Sequence, residues 1–153
     1  SNINHINQLQ SNMQENLTQL NQTQSKLSFQ IKYGTAKTRI QNQLSYKLGQ
    51  AMIINSKSFL GYIRMPFVLS YIHDKHKQEQ KIYQEKIKKD PSLKLPPLEN
   101  YPDYKEALKL KNHLSYKLGQ ALIKANKTWY KGGYVKMWFE VGRVKNKIKP
   151  RGE

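Results

Sequence analysis

The sequence contains no cysteine, which removes disulfides, thiolate metal sites and cysteine nucleophiles from consideration. A chain without thiols fits a reducing compartment, and we expect the cytoplasm. Acidic residues are scarce: ten Asp and Glu stand against 27 Lys and Arg, a formal net charge of +17. A glycine-rich phosphate loop is also missing, because Gly132-Gly133 lacks the lysine and the hydroxyl that such a loop requires.

No apolar run is long enough to cross a bilayer. The longest, 59–72, is interrupted by Arg64 and Pro66, and a spanning helix needs about 20 apolar residues. The chain does not begin with Met, and Ser1-Asn2 has the look of a cloning remnant. We therefore expect a piece of a longer protein.

The few acids and histidines form no convergent set. A hydrolase or transferase site needs a nucleophile with its base, paired carboxylates or a metal cluster, and the acids here are scattered over charged segments. His73, Asp74 and His76 have a spacing at which a helix could hold a metal, but no third strong ligand accompanies them. We expect no catalytic residue, no cofactor and no metal in this chain.

What the sequence does contain is an internal repeat. Residues 44–51 read LSYKLGQA, and residues 114–121 read LSYKLGQA again. The match continues more weakly, with Phe59 opposite Trp129 and, after a two-residue offset, Phe67 opposite Phe139. Such self-similarity indicates a duplicated supersecondary unit. The repeated residues are packing and surface types, which favours a scaffold.

Small residues recur within the repeat. Ser45 and Gly49 are four positions apart, as are Ser115 and Gly119, so each pair forms a shallow groove on one face of a helix. Small residues allow two helix backbones to approach closely. We predict that the two copies pack groove to groove about a pseudo-two-fold axis. The alternative is that both glycines are merely tolerated on the surface.

A heptad pattern occupies residues 3–31. Ile3, Gln10, Leu17, Gln24 and Ile31 share one heptad position, and Ile6, Met13, Leu20 and Leu27 share its partner. Four heptads of this kind predict a coiled-coil seam, in which the glutamines tend to fix register. We expect homo-oligomerisation through residues 3–31. Folding back onto the rest of the chain and a frayed tail are the alternatives.

The remaining helices follow from apolar spacing and breakers. Gly34 either interrupts the first helix or is tolerated in it, and a second break is expected at Gly61. Pro66 is expected to start the next long helix, since proline is favoured in a first turn. Asp103 and Glu106 have the spacing of a capping box for a further helix.

These signals divide the chain into five parts. They are a coiled-coil helix (1–34), repeat unit 1 (35–90), a proline-rich hinge (91–102), repeat unit 2 (103–149) and a tail (150–153). Residues 134–149 fit either a strand or a helix, and helix is preferred because their counterparts in unit 1 lead into a helical pattern. The expected fold is all-α and elongated, with a duplicated helical-hairpin unit after the coiled coil.

The basic charge has a distinct distribution. Residues 1–31 are neutral overall, residues 32–90 carry a net +8 and residues 91–153 a net +9. Cations and aromatics are interleaved near the carboxyl end, and the candidate membrane or polyanion contacts are Trp129, Lys131, Lys136, Trp138, Arg143, Lys145 and Lys147. Anionic lipid and acidic glycan suit such a segment. The alternative is that its aromatics are core anchors, as Phe59 and Phe67 would be in unit 1.

The segments LSYKLGQAMIINSKSFLGYIRMPF, YPDY and LSYKLGQALIKANKTWYKGGYVKMWFEV carry a family resemblance. Over roughly residues 36–145 the chain resembles the carboxyl-terminal region of sugar transferases from bacterial capsule and lipooligosaccharide loci. The resemblance implies a parent glycosyltransferase that builds surface polysaccharide at the cytoplasmic face of the inner membrane. The donor-binding acidic motifs of that family have no counterpart here, so no catalytic residue is carried over.

Together these observations predict a non-catalytic helical region of a sugar transferase. It would serve oligomerisation, with peripheral docking on the membrane or on an acceptor as a further role. A basic nucleic-acid-binding module is the alternative function. It ranks lower because the sequence has no helix-turn-helix spacing, zinc finger or RNA-binding aromatic motif.

Overall fold

The computed structural model describes residues 1–128 and Arg143, and these residues form helices joined by short turns, without any strand. The all-α prediction is confirmed. The α-helices are α1 (Asn2–Tyr33), α2 (Ala36–Gln41), α3 (Leu44–Asn55), α4 (Phe59–Lys89), α5 (Tyr104–Ala107) and α6 (Leu114–Thr128). Single 3-10 turns lie at Pro91–Leu93, Leu98–Asn100 and Leu108–Asn112.

Helix α1 is one uninterrupted helix of 32 residues. It ends at Gly34, whose φ of 77° lies in the left-handed region that glycine adopts without strain. The Gly34 N–H donates to the carbonyl oxygen of Gln30 at 2.8 Å. Gly34 therefore interrupts the helix, and the chain turns there into α2, which Thr35 caps by accepting the Thr38 N–H.

The repeat is visible in the backbone as well as in the sequence. Gln43 precedes α3 at φ −65° and ψ 147°, and His113 precedes α6 at φ −67° and ψ 148°. Each donates its N–H to a carbonyl three residues earlier, Ile40 or Leu110, at 3.1 Å. The two copies of LSYKLGQA thus begin with the same turn, and the structural repeat starts upstream of the octapeptide.

Helix α4 begins earlier than the sequence predicts. Its cap is Ser58, whose side chain accepts the Gly61 N–H at 3.0 Å, and Pro66 lies inside the helix. The expected break at Gly61 and the expected start at Pro66 are therefore both wrong. A serine cap satisfies a free backbone donor of the first turn. Pro66, about two turns after Ser58, has no N–H to donate, and the helix continues despite that missing hydrogen bond.

The prediction that Asp103 and Glu106 form a capping box is also wrong. Asp103 precedes α5 but makes no side-chain capping bond there. Its carboxylate instead accepts the Ala36 N–H at 2.8 Å and the Lys37 N–H at 3.1 Å. Asp103 therefore caps α2, which is distant in sequence, and the expected single helix is split into α5, a 3-10 turn and α6.

The core lies where α1, α2, the 91–113 segment and the starts of α3 and α6 meet. Ile40 is completely buried, and Tyr101 is 2% exposed although it follows the prolines. The buried cluster consists of Ala36, Ile40, Tyr46, Tyr101, Ala107, Leu110 and Tyr116. Residues 70 apart occupy it in pairs, Ile40 with Leu110 and Tyr46 with Tyr116, so both units contribute equivalent side chains to one core.

Candidate functional site

The four small residues singled out in the repeat lie together at the crossing of α3 and α6. Gly49 lies against the backbone of Ser115, and Gly119 lies against the backbone of Ser45. Ser45 comes before Gly49 in α3, but the residue that Ser45 contacts, Gly119, comes after Ser115 in α6. The two helices therefore run in opposite directions at the crossing. In one contact the glycine comes from α3 and the serine from α6, and in the other contact these roles are exchanged. Such an exchange is typical of a two-fold relation.

The approach at this crossing leaves no room for a side chain. A Cβ atom on Gly49 would overlap the Ser115 carbonyl group and lie 2.9 Å from its Cα. A Cβ atom on Gly119 would meet Ser45 in the same way, 2.7 Å from its Cα. Both obstacles are backbone atoms, which cannot rotate aside as the end of a side chain can. The two glycines are therefore required by helix packing.

The segment between the two units is held against unit 1 by polar bonds. Arg39 donates from its guanidinium to the Pro96 carbonyl at 2.6 Å and stacks over the Tyr101 ring, 5.2 Å from its centroid. The Leu95 N–H donates to the Tyr83 hydroxyl at 2.9 Å. With the Asp103 carboxylate on the start of α2, these bonds fasten residues 95–103 to α2 and α4.

Helix α1 touches the rest of the chain through aromatics near its end. Phe29 packs edge-on against Tyr101, with ring centroids 5.1 Å apart, and against Tyr33 at 4.9 Å. Phe29 lies two residues from Leu27 and from Ile31, about 200° around the helix. The body therefore holds α1 by the face opposite its heptad seam.

The heptad seam itself is uncovered. Ile31 is 78% exposed even though it lies two residues from both Phe29 and Tyr33, which are partly buried against the core. Every large apolar residue of the seam is at least half exposed, and Leu9 beside it is too: Ile3, Ile6, Leu9, Met13, Leu17, Leu20, Leu27 and Ile31. Folding back of the seam onto the body is not the arrangement found.

Helix α4 carries a second uncovered apolar surface in its first half. Phe59 is 79% exposed and Phe67 is 76% exposed, so the expectation that they are core anchors is wrong. Only Gly61 of this helix is buried. The surface, called here the α4 stripe, comprises Phe59, Leu60, Ile63, Phe67 and Tyr71. The sequence pattern does not reveal this surface, because apolar residues at helical spacing are typical of the core.

The acids and histidines of α4 make isolated contacts. Glu79 accepts from the Lys47 ammonium at 3.4 Å, which joins α3 to α4, and His73 lies 3.4 Å from Asp74. The partly buried His76 leaves its Nδ1 without a hydrogen-bond partner. Burial, and then the nearby Lys47 charge, lower the pKa of His76 below its ordinary value. No group of three His, Asp or Glu residues in the described part of the chain could hold a metal ion.

The predicted membrane or polyanion contacts fall outside the described residues, with one exception. Arg143 is helical and exposed. The helix expected over 134–149 otherwise lies outside the described part of the chain, as does the remainder of unit 2 beyond α6. Among the helices that are described, none is long and apolar enough to cross a bilayer.

Comparisons with known proteins place the chain in a family without assigning it a role. No curated protein and no solved structure matches it. One family model matches residues 1–150, which is nearly the whole chain. The chain belongs to the family described as a domain of unknown function, DUF8374.

Proposed function

We propose that this chain is a non-catalytic helical assembly region of a longer protein, in which copies associate through α1 and present a basic body to an anionic partner. One observation carries the proposal. The α1 seam is exposed over its whole length, and Phe29, on the opposite face, attaches α1 to the body. A long apolar seam that its own body does not cover is the surface on which coiled-coil helices pair.

A second copy of α1 is the partner that suits this seam. The only charges in residues 2–31 are Glu15 and Lys26, both outside the positions that flank a seam. Gln10 and Gln24 break the apolar series at one heptad position. In a parallel, in-register pair each glutamine meets its own counterpart and can share a hydrogen bond. In an antiparallel pair it would face an apolar residue.

The parent enzyme is part of the same proposal. The resemblance of residues 36–145 to the carboxyl-terminal region of capsule and lipooligosaccharide sugar transferases supports a glycosyltransferase of surface polysaccharide synthesis, working at the cytoplasmic face of the inner membrane. The present chain would assemble and position that enzyme. Its isolated contacts between acids and cations, such as Glu79 with Lys47, suit helix packing rather than sugar transfer.

Light scattering on the full chain tests self-association. We expect a mass at least twice that of the single chain. Replacing Leu17 and Leu20 by Asp puts charges into the seam and should reduce the particle to one chain. The matched control replaces Gln8 and Gln22, exposed on the opposite face, by Asp and should keep the wild-type mass. A wild-type protein that is monomeric at all concentrations contradicts the proposal.

A titration with DNA at two salt concentrations separates the assembly proposal from the nucleic-acid alternative. We expect only weak binding that disappears as salt increases, because charge alone drives it. Tight binding that depends on base sequence would instead identify a nucleic-acid module. An acidic glycan, as an acceptor for the parent enzyme, would bind the same basic body and compete with the DNA.

A further inference from the structure

We propose that the α4 stripe is a docking surface for an anionic lipid bilayer, with the helix lying in the interface. This surface is distinct from the contacts predicted between 129 and 147. The inference specifies the anionic partner of the proposed function, and it does not depend on self-association through α1.

The first half of α4 carries apolar residues on two opposite sides. Gly61 faces the Asn55 carbonyl, and Met65, Val68 and Ile72 are partly buried on that same inner side. The stripe occupies the opposite side, so the first half of α4 is apolar on both faces. A helix that is apolar all round is normally enclosed, and in the described residues nothing covers the outer face.

The stripe has a defined end. Beyond Tyr71 the same side of the helix continues with Asp74 and Lys75, both exposed. The apolar side chains therefore extend over about three to four turns. That is enough to embed a helix in the headgroup region but too short to cross the hydrocarbon core.

The charge around the stripe favours an anionic surface. Residues 44–73 contain three cations, Lys47, Lys57 and Arg64, and no acid. Lys57 and Arg64 are exposed beside the stripe. Their long side chains can reach lipid phosphates while the aromatic rings enter the interface.

The same charges disfavour the other occupants. Pairing two α4 stripes would bring the Arg64 side chains of both copies close together in either helix direction, because Arg64 lies near the centre of the stripe. Covering the stripe with residues 129–153 would add seven cations and only two acids to the same place. A bilayer that contains anionic lipid can bury the apolar side chains of the stripe and pair the nearby cations with lipid phosphates, without this repulsion.

The sequence repeat strengthens the case. Phe59 and Phe67 are matched by Trp129 and Phe139, again among cations, so one chain carries the aromatic and cationic pattern twice. Several weak contacts on one particle bind a continuous surface far more tightly than any one of them. Assembly through α1 would add to this effect, although each chain already has its own stripe.

Flotation of the full chain with vesicles is the direct test. The probes are vesicles of equal parts phosphatidylglycerol and phosphatidylcholine, and vesicles of phosphatidylcholine alone. We expect binding to the mixed vesicles that weakens with salt. The double variant Phe59→Ser with Phe67→Ser should weaken that binding by at least about tenfold. The control, Ile82→Ser with Leu93→Ser, changes two exposed apolar residues outside the stripe and should bind as wild type does.

The absence of cysteine allows a second readout. A polarity-sensitive dye on Ile63→Cys should shift to the blue with mixed vesicles, and the same dye on Ile82→Cys should not. A dye at position 63 that is already shifted without vesicles would show that protein covers the stripe and would overturn the inference. So would equal flotation of the double variant and the wild type, or equal binding to both vesicle types.

Failure of this inference can be told apart from failure of self-association. Light scattering on the same preparations reports the mass without vesicles. A particle that is oligomeric but does not float refutes only the lipid surface. A monomer that floats refutes only the pairing of α1.

Discussion

Gly49 of α3 lies directly on the backbone of Ser115 in α6, and the equivalent pair, Gly119 and Ser45, repeats this contact with the roles exchanged. Two helices with the same sequence therefore cross at their smallest residues. Such a crossing resembles the interface of a homodimer built into one chain, because a two-fold arrangement lets a single sequence supply both complementary surfaces. The chain between α3 and α6, residues 56–113, keeps the two copies together.

The first prediction concerns this crossing. Gly49→Ala and Gly119→Ala should each lower the free energy of unfolding by about 3 kcal/mol or more, because a new methyl group would overlap backbone atoms. Urea denaturation followed by circular dichroism measures the change. Helix propensity alone has the opposite sign and would stabilise the protein by about 1 kcal/mol. Stabilisation by alanine would therefore contradict the close packing.

Gln50→Ala is the matched control for these variants. Gln50 is the exposed neighbour of Gly49 on the same helix, so its replacement should change the free energy of unfolding by less than about 0.5 kcal/mol. A similar loss in Gln50→Ala and Gly49→Ala would point to a general weakness of α3 and not to the crossing.

The second prediction concerns Asp103. Its carboxylate accepts two N–H groups at the start of α2, and hydrogen bonds to a charged group contribute about 1.5–3 kcal/mol. Asp103→Ala should lower the free energy of unfolding by a similar amount, measured by urea denaturation. Asp74→Ala, at an exposed position beside His73, is the control and should have little effect. If Asp103 capped α5 instead, the Ala36 and Lys37 amides would exchange hydrogen equally fast in the variant and the wild type.

The repeat was the part of the fold most accessible to sequence analysis. Identical octapeptides with small residues four apart are sufficient to predict a close helix crossing, because the contact depends on local spacing. The role of Asp103 was not accessible in this way. Glu106 offered a nearby capping partner, whereas the actual partner, Ala36, is 67 residues away.

The α4 stripe shows a different limit of sequence analysis. Phe59 and Phe67 have the spacing and character of core residues, and a helical pattern does not distinguish the face that packs from the face that remains uncovered. Only the position of α3 decides this, because α3 contacts the side of α4 that bears Gly61. The start of α4 was predicted at Pro66 because proline suits the first turn of a helix. The helix begins earlier, at Phe59, because Ser58 provides the cap.

The third prediction is a pH dependence at His76. Burial first, and then the Lys47 and His73 charges, lower the pKa of His76, whereas Glu79 opposes the shift. Because the folded-state pKa lies below the unfolded value near 6.5, the unfolded chain binds the proton more readily. This contribution to stability is complete above the unfolded pKa and is lost as the pH falls through the folded pKa.

The free energy of unfolding should therefore decrease modestly on acidification from about pH 7.5 to about pH 5.5. The effect is small because His76 is partly open to solvent. His76→Gln should flatten the slope, measured by urea denaturation at each pH, and His5→Gln on the exposed part of α1 should not. An unchanged slope in the His76 variant would assign the pH dependence to other groups.

The fourth prediction concerns the seam glutamines. Buried polar residues at one heptad position cost stability and select register and oligomeric state. Replacing Gln10 and Gln24 by Ile should raise the melting temperature of the α1 assembly and broaden the range of masses seen by light scattering. A lower melting temperature would mean that the glutamines do not lie in an apolar interface.

The orientation of the assembled helices provides the last and sharpest test. In a parallel, in-register assembly, residue 3 of one copy lies beside residue 3 of the next, about 42 Å from residue 31. Because the chain has no other thiol, Ile3→Cys should form disulfide-linked dimers under mild oxidation. Mixing Ile3→Cys with Ile31→Cys should give no mixed dimer, since the two thiols lie at opposite ends. Mixed dimers as the main product would establish an antiparallel pair, in which the glutamines would face apolar residues and their role in setting register would be lost.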